Sequence, residues 1–308
     1  MNWPQRMALL FLLFVVLPQV VAKLWPDDFG DYGFDDNDGR RPLPAPEDAA
    51  PPSQSDAAPP SSQLPDRVRR PLPEAAPADP LISVETETLG AGEIAFGTSF
   101  PVGPNAWLTA RHVANGACQR VVLVVDGKKV PATIAYLHPQ ADLALLKTKS
   151  ASGPALPLET GDVEQNETGY TFGYPKEKLG ATQDRLMGRS RMQLSGEIHG
   201  TGPVLTWAEL ARYPDDLPAL NGMSGGPVFD NRGKIIGIMV AASVRRGRIH
   251  TVAPEILQAT EQAYALTDAS AKAEPVSDVT TSNVSLSDTA RALYKSSRIV
   301  PTYCIPAG

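Results

Sequence analysis

From Leu81 onward the chain is built of short β-type runs punctuated by glycine, and this pattern constrains the fold more than any other feature. Candidate strands cover 93–100, 106–110, 120–125, 130–137 and 142–148. A second set covers 169–174, 189–198, 202–207, 226–229, 234–240 and 248–252. Asp126-Gly127 and Asn231-Arg232-Gly233 are hairpin turn signals between such runs. A helical pattern, 254–266, follows only after the last of them. Many short strands with so little helix predict an all-β sandwich or barrel.

One stretch within this pattern carries chemistry. Leu220-Asn221-Gly222-Met223-Ser224-Gly225-Gly226-Pro227-Val228-Phe229 sets a serine in a glycine-built turn just before a buried strand. Glycines there let the backbone fold tightly and leave a substrate carbonyl unobstructed. Such a turn can aim the amides of Gly222 and Ser224 at one point, where a developing oxyanion would sit. A serine nucleophile needs a base and a group to orient that base. Trp107-Leu108-Thr109-Ala110-Arg111-His112-Val113 offers the base, His112. His138-Pro139-Gln140-Ala141-Asp142-Leu143-Ala144-Leu145-Leu146 offers the acid, Asp142, thirty residues later. His138, His199 and His250 lack such flanks and read as structural or capping groups.

The chain order His, Asp, Ser, with these flanks and the weaker Tyr170-Thr171-Phe172-Gly173-Tyr174-Pro175, resembles the trypsin-like (chymotrypsin-fold) serine peptidases. The Asp142-Leu143-Ala144-Leu145-Leu146 continuation is most similar to the bacterial HtrA/Deg branch. The resemblance covers about residues 90–260. It implies two six-stranded antiparallel Greek-key β-barrels with a C-terminal helix, and a site in the crevice between them. It further implies that His112 accepts the Ser224 proton, Asp142 orients His112, and the Gly222 and Ser224 amides hold the oxyanion. Polypeptide substrates would pair along the strand containing Val240, Ala241 and Ala242. No acidic residue stands at a convincing pocket base, so a small or medium aliphatic residue is expected before the cut. Met223 replaces the aspartate of the digestive enzymes, which excludes their activation ion pair. Residues 267–308 are too few for a PDZ domain. The competing reading is a catalytically idle peptidase-fold module that binds peptides as a chaperone would.

The flanking regions set the compartment. Residues 1–22 carry Arg6, an apolar run and Val20-Val21-Ala22, the pattern of a secretory signal peptide. An apolar run of about 15 residues is short for a membrane span, which needs about 20. Either cleavage after Ala22 or retention as an N-terminal anchor places the rest outside the cytoplasm, in the periplasm or secreted. Residues 23–80 are acidic and then proline-rich, the composition of a disordered linker. The acidic stretch 27–39 does not fit a calcium loop, because Phe34 takes the first ligand position and no glutamate closes it.

The peptidase domain is expected at 81–268 and a tail at 269–308, with a short amphipathic helix at 287–294. Cys118 and Cys304 are the two cysteines. In an exported chain they can form one disulfide that pins the tail, with 298–303 as a strand laid on the first barrel; two free thiols are the alternative. The histidines show no ligand spacing, so no metal or other cofactor is expected. The net charge is −6 and no basic stripe interleaves with aromatics, which leaves nucleic-acid binding without support.

Overall fold

The computed structural model describes residues 70–306 apart from 87–92, 115–117, 151–152, 160, 162, 197, 277–278 and 280–284. The signal segment and most of the expected linker lie outside the described residues. Among the described residues no helix is long and apolar enough to cross a membrane.

The described residues form two largely antiparallel β systems with three short helices. The first is a closed six-stranded barrel. It contains β2 (Ala95–Gly103), β3 (Ala106–Thr109), β4 (Cys118–Val125), β5 (Lys128–Leu137), β6 (Ala144–Thr148) and β13 (Val300–Pro306). The second has seven strands: β1 (Leu81–Thr86), β7 (Thr168–Gly173), β8 (Gly180–Gly196), β9 (Gly200–Tyr213), β10 (Pro227–Phe229), β11 (Ile235–Ser243) and β12 (Arg248–Val252). In the second system β8 pairs with both β7 and β9, so six strands form a ring and β1 adds in parallel on the far half of β8. The hairpin signals fall where expected: Asp126 and Gly127 both have positive φ between β4 and β5, and Gly233 does so between β10 and β11.

Side-chain alternation fills each interior. Trp107 is fully buried with Val121, Leu123, Leu146 and Val300 inside the barrel. Trp207 is fully buried with Leu205, Val228, Ile236 and Ile249 inside the ring. A third cluster, including Phe100, Leu108, Leu143, Phe172, Val240 and Val252, joins the two systems. Burying each such side chain contributes about 1.5–3 kcal/mol.

The expected tail strand on the first barrel and the expected disulfide are both present, and two other regions differ from the sequence expectation. The tail is part of the barrel: β13 lies between β2 and β4 and closes it. Cys304 on β13 is disulfide-bonded to Cys118 at the start of β4. Residues 70–80, assigned to the linker by their prolines, begin on the second system: Leu72 donates its N–H to Val163 O at 3.1 Å and Gln165 donates to Arg70 O at 2.8 Å. Among the described residues there are three helices, α1 (Pro254–Ala263), α2 (Thr267–Lys272) and α3 (Leu286–Lys295), where the pattern gave two. Ser285 caps α3 by accepting the Asp288 N–H, and the helix buries Ala290 and Leu293.

The disulfide spans 186 residues of sequence. Chain entropy for so long a loop gives an upper figure of about 5 kcal/mol. Cys304→Ser is expected to lower unfolding free energy in urea by about 2–5 kcal/mol. A variant as stable as the wild type would mean that the strand pairing of β13 suffices without the bridge.

One buried acid stands apart from the candidate site. Asp184 on β8 is fully buried, its Oδ2 accepts the Thr171 and Thr182 hydroxyls at 2.8 Å each, and Oδ1 has no partner among the described residues. Burial pushes its carboxyl up to about 7, with nearby Glu209 acting in the same direction. The folded state therefore holds this proton more tightly than the unfolded chain. The resulting stabilisation is complete below about pH 4 and is lost as pH rises through about 7. In Asp184→Asn that pH-dependent contribution disappears, so its thermal midpoint should fall less than the wild type's between about pH 5 and pH 8. Parallel curves for the two proteins would contradict this.

Candidate active site

The three candidate side chains arise from three turns that meet at the junction of the two systems. β3 ends at Thr109 and runs into a 3-10 turn, Arg111–Ala114, which carries His112. The loop between β5 and β6 carries Asp142, and the glycine turn before β10 carries Ser224.

Asp142 and His112 are joined twice. Asp142 Oδ2 lies 2.6 Å from His112 Nδ1, and Oδ1 accepts the His112 backbone N–H at 2.9 Å. Asp142 is 4% exposed, so this carboxylate has left water and is satisfied by those donors instead. The geometry fixes the imidazole plane and leaves Nε2 as the nitrogen facing outward.

The acid's loop is itself organised by His138. Its Nδ1 accepts the N–H groups of Ala141 at 2.8 Å and Gln140 at 3.2 Å, and its own N–H donates to Leu143 O at 2.9 Å. Burial, and then the Arg111 guanidinium, hold its pKa below the ordinary value, which suits a neutral acceptor ring. Arg111, the neighbour of His112, donates from Nη1 to His138 O at 2.9 Å and Pro139 O at 3.3 Å. The capping role read for His138 from sequence is the role it occupies here.

The serine turn is held by glycine geometry. Gly222 has φ +99°, and a Cβ there would meet Tyr174 O and the Phe96 ring. Gly225 has φ +87°, and a Cβ there would strike Thr98 O, Thr109 Oγ1 and the Ala110 N. That close approach sets the Ser224 turn against the strand end leading to His112. From the other side, Ser224 O and the Val113 side chain both pack on Gly97.

The peptide planes of this turn are fixed as well. Asn221 O accepts the Lys176 N–H at 2.8 Å, and Met223 O accepts the Gly226 N–H at 2.8 Å. In a trans peptide the N–H points away from its carbonyl. The Gly222 and Ser224 amides therefore turn away from those contacts, and among the described residues neither donates to a protein acceptor. Two such free donors are what an oxyanion requires. Met223 is fully buried in the Trp207 cluster, as an apolar residue at that position should be.

Sequence reasoning passed over Thr98. From β2 of the barrel it donates its N–H to Ser224 O at 2.8 Å and its hydroxyl to Gly222 O at 2.8 Å. The same hydroxyl accepts the Tyr174 N–H at 3.1 Å. One fully buried residue of the first system thus fixes both residues whose amides are free in the second. The signal was present as a Thr98-Ser99 hydroxyl pair inside an otherwise apolar strand.

Of the expected substrate wall, Val240 is 3% exposed and packs into the core cluster, whereas Ala241 and Ala242 line a cleft. Among the described residues no group of acidic, histidine or cysteine side chains could hold a metal ion.

Residues 97–238 match the family model described as "Trypsin-like peptidase domain". The chain therefore carries a trypsin-like peptidase domain over the span that holds His112, Asp142 and Ser224. It is 29% identical over 148 residues to a "Probable periplasmic serine endoprotease DegP-like" of Chlamydia pneumoniae, covering 47% of this chain and 28% of that protein. It is 27% identical over 150 residues to "Serine protease Rv3671c" of Mycobacterium tuberculosis, covering 48% of this chain and 36% of that protein. The chain thus spans about a third or less of the length of these relatives. Among solved structures, the Rv3671c protease from M. tuberculosis in its active form aligns with TM-score 0.47 at 18% identity, over 61% of this chain and 90% of that one.

Thr98→Val removes a hydroxyl whose loss strands the buried Gly222 carbonyl and Tyr174 amide at little change in shape. It should lower unfolding free energy by about 1–3 kcal/mol, with Thr98→Ser retaining most of it. Urea unfolding checks this, and equal stability of Val and wild type would show that the hydroxyl is dispensable.

Proposed function

We propose that this protein is a serine endopeptidase that hydrolyses polypeptides through His112, Asp142 and Ser224. The observation that carries the reading is the doubly bonded pair of buried Asp142 and part-exposed His112, at the same junction as a serine turn with two free amides. In this reading Ser224 Oγ attacks the scissile carbonyl while His112 Nε2 removes its proton. The carbonyl oxygen takes up negative charge between the Gly222 and Ser224 amides, each such donor contributing about 3–4 kcal/mol. Collapse breaks the C–N bond, and His112 returns the proton to the leaving amine. Water, deprotonated by His112, then cleaves the acyl-enzyme and frees Ser224. Asp142 stays ionised throughout and stabilises the imidazolium.

The reading extends to place. The signal-type segment, the Cys118–Cys304 disulfide and the periplasmic assignment in the name of the C. pneumoniae relative all support an exported, periplasmic enzyme acting on exported or misfolded proteins.

A fluorophosphonate probe tests the chemistry directly. The full chain should be labelled on Ser224, and Ser224→Ala should abolish labelling. Hydrolysis of an unfolded protein should fall about 10⁴-fold in Asp142→Asn. A folded protein that neither labels nor cleaves would instead be the peptide-binding module.

A further inference from the structure

Beyond the reacting groups, the strand that hydrogen-bonds to the serine turn, β11, leads into a basic cleft. Met239 on β11 accepts the Gly225 N–H at 2.7 Å and donates its own N–H to Gly226 O at 2.9 Å. Ala241 follows two residues on, about 7 Å along an extended strand. There Ala241, Ala242 and Ser243 line a cleft of about 680 Å³, which Pro80 and residues of β1 also line. The register sets His250 beside Ala241 and Thr206 beside His250. Ser190 Oγ lies 2.8 Å from Thr206 Oγ1, which lies 3.2 Å from His250 Nδ1, giving a polar row across β8, β9 and β12.

The charge of this cleft has one sign. Arg189, Arg246 and Arg248 line it, and no aspartate or glutamate does. Arg189 is already committed, pairing with Glu255 at 2.8 Å and donating to Pro73 O. Among the described residues the Arg248 guanidinium donates only to the carbonyls of Arg246 and Gly247. Among the described residues neither Arg246 nor Arg248 is ion-paired with a carboxylate. Burial first, and Arg248 second, push His250 down to about 4, so it serves as a neutral hydrogen-bonding group and the arginines supply the charge. In a chain of net charge −6, two uncompensated guanidinium groups beside the substrate strand are a local exception.

We propose that this cleft is a specificity subsite for an acidic side chain, aspartate or glutamate, of a polypeptide laid along Ala241–Ser243. Arg248 and Arg246 meet the carboxylate, and the hydroxyls of Ser190 and Thr206 with the His250 ring complete its hydrogen bonds. A guanidinium presents paired donors that match a carboxylate, whereas a lysine or arginine of the substrate would be repelled. The inference rests on the reading of Ser224 as a polypeptide-cleaving nucleophile for its place in catalysis, but its binding content is testable without turnover.

The experiment uses the full chain carrying Ser224→Ala and a scanned set of fluorescent peptides with Glu, Gln or Lys at each position. Anisotropy should show one position at which Glu binds about tenfold tighter than Gln, with Lys weaker than both. Arg248→Ala and Arg246→Ala should each reduce the Glu-to-Gln ratio, Arg248→Lys should retain part of it, and raised salt should shrink it. A ratio near one at every position, or a preference indifferent to both arginine substitutions, overturns the subsite. Cleavage of the same peptides by the wild type, read beside phosphonate labelling, separates the two claims. Labelling without a Glu preference sinks the subsite alone. A Glu preference in binding without labelling sinks the hydrolase reading alone.

Discussion

The contact between the buried Asp142 carboxylate and His112 is the constraint around which the rest of the site is arranged. A carboxylate that has left water is costly unless donors replace the hydration it lost. Here the ring Nδ1 and the His112 backbone N–H do so, which ties imidazole orientation to the backbone of the 3-10 turn. The turn cannot drift without unsatisfying the acid. His138 and Arg111 extend the same logic outward, closing the Asp142 loop on itself and then strapping it to the neighbour of His112. Orientation of the base is thus built into several ordinary hydrogen bonds, each worth about 1 kcal/mol net and expensive to leave unmade.

The serine turn is fixed from the opposite direction. Its glycines permit positive φ at Gly222 and Gly225 and bring the turn into contact with the barrel backbone. Thr98 then supplies the polar link, because its amide and hydroxyl hold the carbonyls of Ser224 and Gly222. β2, which carries Thr98, also pairs with β13 near the end of the chain. Ser99 and Thr302 share a hydrogen bond of 2.6 Å across that pairing, and the disulfide secures the far edge of β13 to β4. Closure of the barrel by the last strand therefore stabilises the platform on which the serine turn rests.

Much of this was legible in the residues because it is local. Glycines flanking Ser224, the apolar run into His112 and the aspartate opening an aliphatic strand are contiguous signals. Turn chemistry marked Asp126-Gly127 for the same reason. What escaped depends on pairing between distant segments. β13 joins β2 across some two hundred residues, and nothing in Val300–Pro306 itself names that partner. The 17-residue β8 serves β7, β9 and β1 along its length, which a strand-by-strand pattern divides wrongly. The basic cleft combines Arg246 in the turn after β11 and Arg248 at the start of β12 with residues of β1, β8 and β9 that only the register brings together. Val240 turns its side chain into the core while Ala241 and Ala242 line the cleft, and the register shift between Met239 and Ala241 falls at that point of the strand.

The central claim, that Ser224 is a nucleophile activated by His112, is tested most directly by the crystal structure of the phosphonate-treated protein. It should show phosphorus bonded to Ser224 Oγ, the phosphoryl oxygen accepting both the Gly222 and Ser224 amides, and His112 Nε2 within hydrogen-bonding reach of the adduct. An adduct on another residue, or one whose phosphoryl oxygen avoids both amides and whose oxygens lie beyond the imidazole's reach, would contradict the account.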